Sequence, residues 1–123
     1  MNSALSFTNS PYTSFMHETK IRLSNGIELH VEMGGNPQDP AIMLIMGLGA
    51  QMLFWPDFFC KSLIDQGYRV IRFDNRDIGL SSKIRHSGPR LNTFKLMGRF
   101  ALGLENQGAP YNLYDMAEDA ALL

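Results

Sequence analysis

The sequence predicts an α/β fold: a β-hairpin, then a β-α-β unit, then further helices. Three observations carry that expectation. Two alternating runs flank an Asn-Gly turn, an apolar run without alternation leads into a glycine-containing corner, and a short amphipathic segment separates that run from a second apolar strand.

The elements follow in order. Lys20 to Leu23 and Ile27 to Met33 alternate on either side of "SNG", and Asn-Gly signals a hairpin because both residues tolerate positive φ. After the turn-rich "GGNPQDP", Ala41 to Met46 is apolar throughout, as expected of a strand covered on both faces. Trp55 to Gln66 reads as a helix: Pro56 suits the first turn, Asp57 lies near the positive end of the dipole, apolar residues stand at 55, 58, 59 and 63, and Gly67 follows. Tyr68 to Phe73 is the next strand, and strand-helix-strand with tight connections implies parallel pairing and a right-handed crossover. "LNTFKLMGRFALGL" has the apolar breadth of a helix, although Gly98 and Gly103 each cost about 1 kcal/mol relative to Ala. In the last segment Asn112 can cap, Asp115 is its reciprocal partner, and Leu113, Met116, Ala117, Ala120 and Ala121 fall on one face, with no stop signal by Leu123.

Composition limits the function classes. With 123 residues, 45% hydrophobic and a net charge of -1, the chain fits one ordinary globular domain. Eleven Lys and Arg against twelve Asp and Glu are scattered without blocks, so no nucleic-acid or anionic-lipid partner is expected. Cys60 is the sole cysteine, which excludes an internal disulfide and a cysteine metal cluster and points to a reducing, cytoplasmic setting. Between Phe58, Phe59 and Leu63 it reads as a small core residue. No His, Cys and Asp spacing suggests a metal site. Residues 1-17 read as a flexible N-terminal tail rather than a signal peptide, residues 18-123 as the domain, and nothing has the length of a membrane span.

The corner in "AIMLIMGLGAQM" presents backbone N–H groups to an anion, and two anions are candidates. A dinucleotide pyrophosphate is favoured by Gly47-x-Gly49 after a buried strand and by Asp74 at the end of the next strand. Against it, Met52 stands where a Gly or Ala lets the helix pack close, a helix starting near Trp55 begins several residues beyond the glycines, and a hairpin precedes the glycine strand. The other anion is the oxyanion of acyl transfer, which in α/β-hydrolases is held partly by the loop between the third strand and the first helix.

The element order agrees with the second reading, and "LIMGLGAQMLFWPDFFCKSLIDQGYRVIRFDNRDIGLSS" resembles the α/β-hydrolase superfamily from strand three through the loop after strand four. It is similar to the esterase-like aclacinomycin methylesterase group. "YNLYDMAEDAALL" resembles the helix that leads into the nucleophile strand. The resemblance implies that Gly47 ends strand three and that the backbone N–H of Leu48 is an oxyanion-hole donor, with Met46 where the family often has His. Asp74, Arg76, Gly79 and Ser81 match the D-x-R-G-x-G-x-S loop, with Asp77 in place of its first Gly, and are expected to brace the oxyanion turn; a solvated turn is the plainer alternative. Leu53 and Trp55 either line the substrate pocket or simply pack. No cofactor is implied.

The triad is absent. Acyl transfer on this fold needs Ser, then Asp or Glu, then His, and no G-x-S-x-G occurs; the nearest string, Gly79 to Lys83, lacks the second glycine. His17, His30 and His86 precede any elbow and read as surface or core residues. The expectation is therefore the N-terminal half of an α/β-hydrolase sheet, truncated before the nucleophile elbow, from a parent that hydrolyses a small-molecule carboxylic ester or related acyl bond. Alone it should be inactive, and strand three should form an open edge. Two alternatives stand: a short, non-catalytic binding or assembly protein that accepts a strand from a partner at that edge, and a dinucleotide-binding module.

Overall fold

In the computed structural model, residues 15–47, 49–84, 93–104 and 110–123 are described. Leu48, His86 and residues 1–14 of the expected tail lie outside the described residues.

The hairpin forms from β1 (Met16–Arg22) and β2 (Glu28–Gly34). β1 starts earlier than alternation predicts, because Met16 and His17 continue the ladder opposite Gly34 and Met33. Composition puts both in the tail, but Met16 is buried against Val70 and Cys60, an anchor that a period-two pattern in "MHET" does not reveal. The connection also differs from a two-residue turn. Leu23 and Ile27 close it through one N–H···O bond (2.7 Å), Gly26 N–H bonds the Leu23 carbonyl (3.0 Å), and Gly26, at φ 86°, supplies the left-handed residue. Asn25 instead uses its side chain, accepting the Ile27 N–H at 3.1 Å.

β3 (Ala41–Leu44) leads through a single 3-10 turn, Met52–Phe54, to α1 (Asp57–Asp65), and β4 (Arg69–Phe73) follows. Pro56 caps α1 in an extended conformation and Asp57 sits in its first turn. The strand order is β1-β2-β4-β3, antiparallel except for the parallel β3/β4 pair, so β3 is an outer strand with β4 its neighbour. α2 (Thr93–Ala101) and α3 (Leu113–Leu122) complete the described elements. Asn112 and Asp115 form the reciprocal cap expected of α3.

Strand periodicity divides the sheet into two faces. One is apolar: Leu23, Leu29, Val31 and Phe73 are buried there with Ile21, Met33, Met43 and Ile71, and Ala120 and Leu123 pack on them from the C-terminal segment. The other is split. Met16, Leu44 and Val70 meet Cys60, Phe59, Leu63 and Ile64 of α1, whereas the remainder carries Glu18, His30, Glu32 and Arg72. Arg72 is 1% exposed and bridges Glu32 on β2, Asp57 on α1 (2.8 Å) and the Trp55 carbonyl. Burial works against its charge, but Glu32 and Asp57 outweigh that and raise its pKa.

The buried face of α3 is not the one that apolar counting predicts. Leu113 is 74% exposed, while Asp119 is 1% exposed and accepts two 2.7 Å bonds from Arg76 and one of 2.8 Å from Asn25. A buried carboxylate with three donors rotates the helix away from its apolar stripe. Asp119→Ala should therefore cost about 3 kcal/mol or more in urea unfolding, since it leaves the Arg76 guanidinium uncompensated. Cys60 is fully buried and burial pushes its thiol pKa up, so a disulfide reagent such as DTNB should react with it only as fast as the fold opens.

Candidate functional site

β3 ends at Leu44, short of the Met46 that its apolar run predicts. Parallel pairing with β4 ends at Leu44 and Arg72, while β4 stays paired with β2 through Phe73 and the Asp74 N–H bonds the His30 carbonyl (3.0 Å). The chain after Leu44 leaves the sheet, and Ala50 N–H closes a turn on the Gly47 carbonyl at 3.4 Å.

Both ends of that turn are tied to the loop after β4. Asn75 Nδ2 donates to the Met46 carbonyl at 3.1 Å, and Asp74 Oδ1 accepts the Met52 N–H at 2.8 Å. Asp74 and Asn75 are each 3% exposed. Gly47 is exposed between the two ties, and Leu48, the expected donor, lies outside the described residues.

The loop itself is built around the Asp74 carboxylate. Oδ2 faces His30 Nδ1 at 3.2 Å and receives the Leu80 N–H at 3.4 Å. A Cβ on Gly79, whose φ is 52°, would stand 2.0 Å from Oδ2, so neither the conformation nor the space admits a side chain. Ser81 Oγ donates to the Asp74 carbonyl (2.6 Å) and accepts the His30 N–H (2.9 Å), which commits that hydroxyl to the scaffold. Asp77 takes φ 67° where the family has Gly, a conformation Asp tolerates, and its Oδ1 accepts the Ile84 N–H at 2.5 Å.

Arg76 departs from the expected role. Its guanidinium goes to Asp119 and the Asp115 carbonyl of α3 and lies 5.1 Å from the centroid of the Tyr111 ring, not against the turn after β3. The hydrogen bond to Asp119 raises its pKa despite burial. Burial and Asp77 push the Tyr111 phenol up to about 12, with Arg76 opposing. Trp55 stacks on Phe59 (centroids 5.7 Å apart) and packs on the α1-side core, with its Nε1 buried and unpartnered among the described residues; Leu53 is 60% exposed.

Asn75 and His30 are the contributors that sequence reasoning missed. Asn75 sits in ordinary turn composition, and His30 reads as one alternating strand residue. No local signal distinguishes either, because their partners lie 29 and 44 residues away. The geometry disfavours a dinucleotide, since the Asp74 carboxylate is already occupied by main-chain donors and α1 begins only at Asp57. Among the described residues no group of three or more His, Cys, Asp or Glu could hold a metal ion. No helix there is long and apolar enough to cross a membrane.

No family model matches the chain. It is 37% identical over 65 residues to the rhodomycin D methylesterase of Streptomyces peucetius, covering 53% of this chain and 22% of that one. Over 60 residues it is 42% identical to an AB hydrolase superfamily protein of Bacillus subtilis, covering 49% and 21%. Its fold matches the thioesterase domain from the curacin biosynthetic pathway with TM-score 0.51 and 28% identity, over 75% of this chain and 33% of that structure. The chain is the N-terminal portion of an α/β-hydrolase domain. This hydrolase portion spans about a fifth of the length of the curated relatives it matches.

Within the hydrolase portion, Gly79→Ala is expected to destabilise by more than about 1 kcal/mol and to displace Asp74. Amide exchange reads both effects: protection at Met52 should fall further than protection in β1.

Proposed function

We propose that this hydrolase portion forms the oxyanion side of a serine-hydrolase site acting on a carboxylic ester or related acyl bond, with the Leu48 N–H as one donor. The observation that carries the reading is the double tie of Asn75 to Met46 and Asp74 to Met52, which immobilises both flanks of the turn on which that donor sits. An oxyanion donor works because it is held in place before charge develops, and a main-chain N–H tolerates Met46 in place of His. Gly47 leaves the approach open, and Leu53 with Trp55 offers apolar surface for the acyl or alcohol group. The methylesterase relative supports the ester class. The Ser, carboxylate and His of the triad have to come from outside these residues, no cofactor takes part, and the buried Cys60 suits a reducing cytoplasm.

A second reading is favoured by the outer position of β3: a non-catalytic binding or assembly protein whose open edge accepts a strand from a partner. Extending the reading frame past Leu123 separates the two. The hydrolase reading expects one more apolar strand and then G-x-S-x-G, in a product labelled by a fluorophosphonate. In that product Leu48→Pro, which removes the N–H, should lower kcat on p-nitrophenyl acetate by about 100- to 1,000-fold while Leu48→Ala changes little. A frame without an elbow, or full activity in Leu48→Pro, overturns it.

A further inference from the structure

The two edges of the sheet are finished differently. β1, the outer strand on one side, carries His17, Glu18, Lys20 and Arg22, and charged side chains along an edge discourage a further strand. β3, the outer strand on the other side, runs from Ala41 to Leu44 and on into Ile45 without a charge. An uncharged, apolar edge is a template for one more strand.

The register fixes which groups that strand would meet. Ala41 pairs with Arg69, and the Arg69 N–H bonds the Pro40 carbonyl at 2.9 Å, so Ile42 and Leu44 turn their main-chain groups toward β4. Ala41 and Met43 turn theirs to the open side, and Ile45 is next in that alternation. Ile42 is half-buried on the α1 face of the sheet and Met43 on the opposite one, while Ile45 is 54% exposed. A second copy of the same strand fits this edge when the two run antiparallel about a two-fold axis through Met43. Met43 then faces its own copy, Ile42 faces Leu44, and Ala41 faces Ile45, so the smallest side chain of the edge lies opposite the most exposed large one. Each outward N–H and C=O finds a partner. Such a pairing is isologous and closes at two copies, with the β1 charges at both ends of the joined sheet.

We propose that β3 is a self-association edge: a second copy of this chain pairs with it antiparallel and joins two four-stranded sheets into one. This names the partner in the second reading above and rests on that reading for its role, while the pairing itself is measured on the 123-residue chain. A single strand pair buries less than the roughly 1,000 Å² expected of a stable interface, so association should be weak and concentration-dependent. Sedimentation equilibrium should show monomer and dimer in exchange, with a Kd of about 10 to 100 μM. Ile45→Lys, an exposed change that sets a charge beside Ala41 of the second copy, should raise that Kd at least about tenfold. Phe58→Ser, on the exposed side of α1, should leave it unchanged. Cross-linking reads the register. Met43→Cys sets the two introduced thiols opposite each other at a Cα separation of about 5.5 Å, within reach of a disulfide, so mild oxidation should join the chains. Ala41→Cys, whose two copies lie well apart along the ladder, should not be joined. A chain that stays monomeric, a Kd moved by Phe58→Ser but not by Ile45→Lys, growth beyond the dimer, or equal cross-linking at positions 41 and 43 overturns the proposal. A reading frame with one more strand and an elbow removes the second reading and leaves the measured pairing standing, so the two failures are distinguishable.

Discussion

The site depends on one buried carboxylate. Asp74 has lost its water, and a charge in that position persists only if donors replace what solvent gave. They come from three places: the Met52 N–H beyond β3, the Leu80 N–H of its own loop and the His30 ring on β2. Satisfying it forces the loop after β4 to curl back, which requires a glycine at 79, and forces the turn after β3 to lie alongside. Two of the three donors are main-chain groups, so the geometry constrains the path of the backbone more than the identity of the residues along it.

The other buried charges do comparable work on the helices. Arg72 sets α1 against the sheet by reaching Asp57 and the Trp55 carbonyl from the middle of β4. Four residues later Arg76 reaches Asp119, and Asn25 at the hairpin tip meets the same carboxylate. Hydrophobic contact is non-directional and would accept either helix in several rotations. Bidentate guanidinium-carboxylate bonds accept few, which is why α3 buries Asp119 and leaves Leu113 in solvent.

Much of the fold was legible because its signals are local. The Asn-Gly hairpin, the apolar third strand, the proline at the start of α1 and the Asn112/Asp115 cap each follow from residues within a few positions of one another. Where reading failed, the decisive partner was remote. Met16 and His17 join β1 because Gly34 and Met33 lie opposite, and Ile45 and Met46 fall outside β3, where the chain runs to its ties with Asn75 and Asp74. Arg76 matched a family loop, yet its contacts go to α3 rather than to the turn that the loop braces.

By itself the sequence determined the order and type of the elements, the corner after the third strand and the loop that braces it, since backbone preference and apolar period act over a handful of residues. Tertiary structure alone decided which charges are buried and with whom: His30 with Glu18 and Asp74, Arg76 with Asp119, Asn75 with Met46. The reason is physical. Two charges or dipoles attract strongly only after water has been removed from between them, and the removal is done by the whole fold rather than by any segment that contains them.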